Sequence, residues 1–347
     1  MGEWYFFLAP VAVLAALLLF RFIGCDTVFG LDDMTYDHTY PQGVLSDGPA
    51  SYWRLQEKPP PRTSPPTPLL PAKDEMGLSP GTYGQAPSPI AADSPHRSPE
   101  ASPIILELGV TTPQLLLTDT SASALKVQGG FVQVTVPLGS PLNSPEFTVE
   151  ALVLPDPTLV QTLGRYHCLI ESSDPGTPQP TVQQKKLGYA IYAGPDDPTQ
   201  PQSPYHWQLW VGTGTEFQRV KEITPYNPPK NEKNEPNPGP QVVIEPTYLA
   251  VTYDGSTFLL YMYRPGSDVL FVKYQLQAPT PASYAANAGG GDLFIGIVGN
   301  RRALFPPFPG PNRFLYPFWG EIEEVAVYGK ALTEERIMSH MHAALGL

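Results

Sequence analysis

The chain has 347 residues, which is enough for one large domain with a well-filled core. Its 44 prolines and 30 glycines exclude a helix-rich fold, because proline breaks helices and favours turns and strand edges. The 21 Lys and Arg against 33 Asp and Glu give a formal net charge of −12, which excludes nucleic acid as an electrostatic partner and leaves apolar insertion as the only route to a membrane.

The first element in chain order is an apolar stretch at residues 4–24. At 1.5 Å per residue a helix of this length spans about 30 Å, the thickness of the hydrocarbon core of a bilayer. The stretch therefore predicts a single-pass membrane anchor over residues 1–25. Two alternatives stay open: a cleaved signal peptide, and a lipoprotein signal with lipidation at Cys25, since residues 22–25 (FIGC) resemble a lipobox.

The orientation in the membrane also stays open. Arg21 favours a cytoplasmic soluble part by the positive-inside rule, but a single charge carries little weight, and the acidic residues that follow do not hinder export. We expect the soluble part on the extracytoplasmic (periplasmic) side.

A polar, acidic juxtamembrane segment follows at residues 26–50, and the sandwich domain is predicted over 51–347, with Pro-rich insertions at 58–71 and 85–103. Many short segments then alternate apolar and polar residues, the pattern of half-buried strands. Thr333 is placed to cap one C-terminal helix. The predicted strands are 124–128, 131–136, 147–153, 188–193, 207–211, 248–253, 257–263, 269–275, 293–298 and 321–328.

Six motifs, in order, carry a family resemblance: 47–57 (DGPASYWRLQE), 81–83 (GTY), 147–151 (FTVEA), 249–255 (LAVTYDG), 320–328 (GEIEEVAVY) and 330–337 (KALTEERI). Over residues 47–345 the chain resembles bacterial laminin-G-like domains of the concanavalin A-like superfamily. The resemblance implies an all-β fold, a two-sheet antiparallel jelly-roll sandwich, to which the anchor and a short C-terminal helix are added.

Glycosidases with this fold carry an E-x-D-x-x-E strand, whereas residues 321–326 read EIEEVA, with Ala326 in place of the last acid. The chain is therefore predicted to be non-catalytic. The resemblance also implies that a structural calcium, if one is bound, is held by Glu57, Asp74 and Glu323. Met76 and Leu78 offer no side-chain oxygen in the loop that would complete such a site, so no cofactor is the default expectation.

Two sets of aromatic residues are candidate binding sites. Tyr192, Tyr205, Trp207 and Trp210 are suited to stack on sugar rings, and alternation places Trp207 and Trp210 on opposite faces of one strand, so one of them is expected in the core. A Pro-rich loop supplies a second set, predicted either to dock a partner or to fold back over the sandwich: Phe305, Phe308, Phe314, Tyr316, Phe318 and Trp319.

Three functional hypotheses follow. The first is an accessory or scaffold subunit that docks on integral membrane protein subunits, for example of a respiratory or photosynthetic complex, and contacts the bilayer through residues 4–24. The alternative is a cell-envelope carbohydrate-binding or adhesion protein whose partners are glycans. A glycoside hydrolase is a distant third.

Overall fold

The computed structural model describes residues 39–57, 71–85, 105–111, 123–128, 130–157, 159, 165–174, 186–197, 203–222, 242, 245–263, 272–277, 284–287, 291–299 and 316–345. The predicted anchor and Cys25 lie outside these ranges. Within them, no helix has both the length and the apolar character needed to cross a membrane.

The described residues form fifteen strands, one 3₁₀ turn and two α-helices. The helices are α1 (Tyr40–Ser46) and α2 (Glu334–Leu345), and the turn is Pro141–Asn143. The strands are β1 (Ser51–Trp53), β2 (Gly81–Gln85), β3 (Ile105–Thr111), β4 (Ser123–Gln128), β5 (Gly130–Val136), β6 (Phe147–Pro155), β7 (His167–Asp174), β8 (Leu187–Pro195), β9 (Tyr205–Gly212), β10 (Phe217–Glu222), β11 (Thr247–Tyr253), β12 (Phe258–Tyr263), β13 (Val272–Gln277), β14 (Gly291–Ile295) and β15 (Trp319–Tyr328).

These strands build two antiparallel layers. Sheet A has the order β13-β12-β11-β6-β15-β4-β3, with β1 beside the second half of β15. Sheet B has the order β2-β5-β14-β7-β8-β9-β10. Strand β10 pairs with both β9 and β13, so the two layers are continuous at that edge. The prediction of an all-β sandwich with antiparallel sheets is confirmed.

The main core lies between the sheets and follows from alternation along each strand. In sheet A, Val149, Ala151 and Val153 of β6 point inwards, and in sheet B, Trp207 and Leu209 of β9 do the same. Every second residue of a strand faces the same side, so each sheet also has an outer face built from the residues between them. These two outer faces are covered in different ways.

Sheet A is covered on its outer face by the two helices. Thr333 caps α2, as predicted, since its hydroxyl accepts a hydrogen bond from the Arg336 N–H, and Ile337, Met341 and Ala344 form the buried stripe that packs on the sheet. Helix α1 was not predicted. It lies inside the expected juxtamembrane segment and belongs to the compact unit that begins at Tyr40.

A fully buried carboxylate, Glu150 in the middle of β6, holds this covering layer. Its two oxygens accept hydrogen bonds of 2.6 Å each from the hydroxyls of Tyr248 and Tyr328. Nδ1 of His340 on α2 lies 3.1 Å from Glu150 Oε2, and its Nε2 lies 3.0 Å from Asp47 Oδ2. The two tyrosine hydroxyls and the His340 imidazole are therefore three polar groups that compensate a charge that would otherwise be costly to bury.

The titration of these groups follows from their contacts. Burial alone would lower the pKa of His340, but the charge of Glu150 and the hydrogen bond to Asp47 outweigh it and raise that pKa to about 9. Burial would likewise raise the pKa of both carboxyls, yet His340 holds the pKa of Glu150 and of Asp47 below their usual values.

Stability should depend on pH accordingly. The His340 contribution is complete below about pH 6.5 and is lost as pH rises through about 9, whereas the contributions of Glu150 and Asp47 are present above about pH 4 and are lost below it. We expect the melting temperature to peak near pH 5–6.5 and the alkaline loss to amount to about 3 kcal/mol.

Thermal melts of His340→Gln and His342→Gln across this range check the assignment. His340→Gln should be destabilised at pH 6 and should lose the decline between pH 6.5 and 9. His342→Gln, on the same helix, should keep the wild-type profile. An unchanged alkaline decline in His340→Gln would contradict the assignment.

Candidate functional site

The outer face of sheet B carries a pocket with aromatic walls. It contains about 450 Å³ of atom-free space, counted to its open mouth. The described residues that line it come from β8, β9 and β10 and from the segments before β7 and β15. They are Tyr166, Ala190, Tyr192, Trp210, Phe217 and Tyr316.

Alternation on two neighbouring strands builds the floor and one wall. On β8, Tyr189 and Ile191 belong to the core, so Ala190 and Tyr192 face outwards. Ala190 is paired across the strands with Trp210 of β9. A methyl group therefore lies between large rings, and this difference in size leaves the space that forms the pocket.

Hydrogen bonds fix the Trp210 ring. Its Nε1–H donates to Gln208 Oε1 at 3.2 Å. The Gln208 amide nitrogen in turn donates to the carbonyl oxygens of Gly194 at 2.9 Å and Pro195 at 3.1 Å. Gln208 is buried, so this chain of bonds orients the indole from beneath. It acts as a positioning residue for Trp210.

Tyr316 reaches the pocket through a strained backbone. Its φ is +53°, a left-handed conformation that costs a non-glycine residue about 1–2 kcal/mol. Two bonds to β7 hold it there: Cys168 N–H donates to the Tyr316 carbonyl at 2.7 Å, and the His167 Nδ1 lies 2.7 Å from the Pro317 carbonyl. Burial lowers the pKa of His167 to about 4, so at neutral pH the imidazole is uncharged and its Nδ1–H donates.

A polar group of residues flanks the pocket. Arg219 lies across from Trp210 on β10, and its guanidinium contacts Asp196 Oδ1 at 2.5 Å. The His206 Nδ1 lies 2.8 Å from the other oxygen of Asp196. Partial burial would raise the pKa of Asp196, but the hydrogen bonds from Arg219 and His206 hold it below its usual value. The aromatic walls thus border on hydrogen-bonding side chains.

The sequence-predicted glycan platform is only partly at this site. Trp210 and Tyr192 line the pocket, whereas Trp207 and Tyr205 are buried in the core between the sheets. The expectation that one of the two tryptophans is core is therefore met by Trp207. Tyr205 and Trp207 have to be removed from the set of residues that a ligand can touch.

The predicted docking residues are divided as well. Phe318 and Trp319 are buried in the core, because β15 begins there and both rings pack between the sheets, so neither can dock a partner. Tyr316 lies at the aromatic pocket instead. Phe305, Phe308 and Phe314 lie outside the described residues.

The acidic strand that resembles a glycosidase motif is on the other side of the molecule. Ile322 packs in the core, so Glu321 and Glu323 on either side of it point to the outer face of sheet A. The sandwich, with sheets about 10 Å apart, separates them from the aromatic pocket. Glu324, at a bulge, is engaged by Arg54 at 2.9 Å.

The three predicted calcium ligands have other partners. Asp74 accepts backbone N–H bonds from Tyr52, Met76, Leu78 and Ser79, at 2.8, 3.1, 2.9 and 2.8 Å. Glu57 accepts from the Lys73 N–H and the Tyr83 hydroxyl, and Glu323 accepts from Gln56. At Asp74 both carboxylate oxygens accept from backbone N–H donors, which does not fit a cation ligand. In the described part of the chain, His, Cys, Asp and Glu form no group of three that could hold a metal.

Three pocket residues were not identified from the sequence: Tyr166, Ala190 and Phe217. A signal for one of them was present. Ala190 occupies the outward position between core residues 189 and 191. Phe217, which pairs with Gly212 of the preceding strand, lies in β10, a strand that was not predicted from the sequence. Tyr166 precedes β7 and offers no periodicity from which its position could be read.

Comparisons with known proteins give no family. No family model matches the chain, and no curated protein matches it. Solved structures that are similar include the binding domain of botulinum neurotoxin serotype D, with 10% identity, a TM-score of 0.41, and coverage of 85% of this chain and 51% of that one. A Trypanosoma rangeli sialidase is 12% identical, with a TM-score of 0.40 and coverage of 86% of this chain and 33% of that one. The Ruminococcus gnavus IT-sialidase CBM40 bound to α2,3-sialyllactose is 11% identical, with a TM-score of 0.35 and coverage of 57% of this chain and 83% of that one.

This chain spans about half or less of the length of the first two of these structures. Similarity at this level assigns neither a family nor a function.

The hydrogen bonds around Asp74 predict how the stability of the protein responds to metal removal. Chelation with EDTA should leave the melting temperature unchanged, because Asp74 stabilises the turn by accepting backbone N–H bonds. Asp74→Ala should lower the free energy of unfolding by about 2–4 kcal/mol, since buried donors lose a charged acceptor. A melting temperature that rises with added Ca²⁺ in the wild type, but not in Asp74→Ala, would show that Asp74 is a calcium ligand after all.

Proposed function

We propose that this chain is a non-catalytic carbohydrate-binding protein whose ligand surface is the outer face of sheet B. The observation that carries the proposal is the half-buried Trp210, fixed by Gln208 and facing an open pocket. Binding pockets for small ligands combine apolar and aromatic walls with a few fixed polar groups, and this site has both.

Sugars suit such a site because each ring has an apolar face and a rim of hydroxyl groups. Trp210, which is half-buried, supplies aromatic surface for the apolar face, and Tyr192, which is almost fully buried, lines the pocket beside it. Arg219, Asp196 and His206 supply donors and an acceptor beside it, held in place by the Arg219–Asp196 ion pair and by the contact of His206 with Asp196. Buried polar groups of a ligand need such partners, so they would set its orientation.

The absence of catalysis is part of the same proposal. Hydrolysis of a glycosidic bond needs two carboxyl groups on either side of the bond. Glu321 and Glu323, the carboxylates that come nearest to a glycosidase motif, face away from the pocket across the sandwich. Their position supports a binding role for the pocket rather than a hydrolytic one.

The assignment to the concanavalin A-like jelly rolls also belongs to the proposal. It is supported by the ordered sequence motifs together with the two antiparallel sheets. In this proposal residues 4–24 attach the domain to a membrane and the sandwich lies on the extracytoplasmic side. The scaffold hypothesis has less support, because Phe318 and Trp319 are core residues.

A glycan array probed with the full-length chain tests the proposal. We expect retention on a defined group of glycans and at least a tenfold loss of affinity, by order of magnitude, in Trp210→Ala, because aromatic residues in such pockets carry a large share of the binding energy. Leu78→Ala serves as the control, since Leu78 is an exposed apolar residue away from the pocket.

Two results would contradict the proposal. One is no retention on any glycan by a chain that melts cooperatively. The other is retention that is equal in wild type and Trp210→Ala, which would place the ligand elsewhere. Hydrolysis of a retained glycan that disappears in Glu321→Gln would instead establish the glycosidase.

A further inference from the structure

Four of the five described aromatic rings that line the pocket form five pairs with steep interplanar angles. Tyr166 makes interplanar angles of 83° with Trp210 and 86° with Tyr316. Tyr192 makes angles of 80° and 89° with the same two rings, and 71° with Tyr166. The rings of Tyr166 and Tyr192 cross each other, and the rings of Trp210 and Tyr316 are each nearly perpendicular to both. Two planes that are perpendicular to the same two crossing planes are parallel to each other. Trp210 and Tyr316 are therefore parallel walls, with Tyr166 and Tyr192 across them.

The distances between the ring centroids suit a small ligand group that contacts several rings at once. Their centroids are 5.9–6.3 Å apart in each of these five pairs. A point in front of two perpendicular rings at this separation lies about 4–5 Å from both centroids, which is within the roughly 6 Å over which a cation is attracted to an aromatic face. A group seated among the rings can contact several of them at once.

The shape of this set of rings distinguishes between ligands. A sugar ring stacks on a single aromatic face, such as that of Trp210, whereas the crossed walls leave a rounded space that suits a smaller and rounder substituent of the same ligand. An alkylated ammonium group is round, apolar on its surface and positively charged, and aromatic cages are the known means of binding it.

The electrostatics of the site also favour a cationic ligand group. None of the described residues that line the pocket is charged, so the quadrupoles of the rings dominate its electrostatics. Arg219, a cation beside it, is paired with Asp196. The chain as a whole carries −12, which favours the approach of a cation over that of an anion.

We propose that the group held by Tyr166, Tyr192, Trp210 and Tyr316 is an N-alkylated ammonium group, of the kind present in choline. The inference rests on the proposed function for the location of the site, and it names the chemical class of the substituent that enters the pocket. Neutral parts of the same ligand would lie against the polar residues at its border.

Choline and its uncharged carbon analogue, 3,3-dimethyl-1-butanol, provide the test, because they have the same shape and differ in charge. Binding to the full-length chain is measured by ligand-observed NMR and by calorimetry. Choline should bind at least about fivefold more tightly than the analogue, the ratio expected from a cation–π contribution. Trp210→Phe, which keeps an aromatic face, should retain choline binding, and Trp210→Leu should lose it.

The variants need a control for folding and for the site. Tyr166→Phe should bind choline like the wild type and Tyr166→Leu should not, while Leu78→Ala should be unaffected. Ala190→Leu should abolish binding by filling the floor, with the melting temperature measured in parallel.

The outcomes separate this inference from the proposed function. Equal binding of choline and its analogue, or no choline binding by a folded chain, overturns the inference, and glycan retention that depends on Trp210 would then leave the carbohydrate proposal intact. Choline binding that depends on charge, without retention on any glycan, supports the inference and overturns the carbohydrate proposal.

Discussion

Strand alternation is the constraint on which the rest of this structure depends. Each strand whose side chains the structure describes turns one face towards the core between the sheets, so only the alternate residues are available for other tasks. On β9 this separates Trp207, which fills the core, from Trp210, which faces the pocket. The two residues have the same chemistry, and an odd spacing of three along the strand decides which one can meet a ligand.

The two outer faces then differ because of what covers them. On sheet A, Glu150 is buried beneath α1 and α2 and is neutralised by His340, so the covering helices are tied to the sheet by charge as well as by apolar contact. Removal of the helices would expose an apolar surface and separate an ion pair. This face is consequently structural. On sheet B the outward residues include Ala190 and Trp210, which leave a cavity instead of a packed surface.

Much of the fold could be predicted from the sequence. The alternating segments at 147–153, 207–211 and 248–253 lie within β6, β9 and β11, because period-two patterning is a local property of the chain. Helix α2 was also recognisable from its cap and its apolar stripe. Helix α1, with the sequence YPQGVLS, was not, since it is short, contains proline and glycine, and is stabilised by tertiary contacts such as that of Tyr40 with Tyr248.

The candidate site was less predictable, because its members come together only in three dimensions. Trp210 was available from the pattern of one strand. Tyr166 and Tyr316 precede β7 and β15, which are far apart in sequence. They are held together where the Cys168 N–H donates to the Tyr316 carbonyl and His167 contacts the Pro317 carbonyl. Phe318 and Trp319 illustrate the converse error. A proline-rich aromatic segment suggests an exposed loop, yet Trp319 already begins a buried strand and Phe318 is buried just before it.

The acidic residues show why residue type alone cannot assign a metal site. A carboxylate in a turn can satisfy backbone N–H groups or a cation, and the two uses compete for the same oxygen lone pairs. Asp74 is committed to the first by four N–H groups. The walls of the pocket differ from Asp74, because the described residues that line them carry no charge that would compete with a ligand. A binding site on this sandwich is therefore expected where the sheet leaves aromatic faces uncovered, and not where its carboxylates gather.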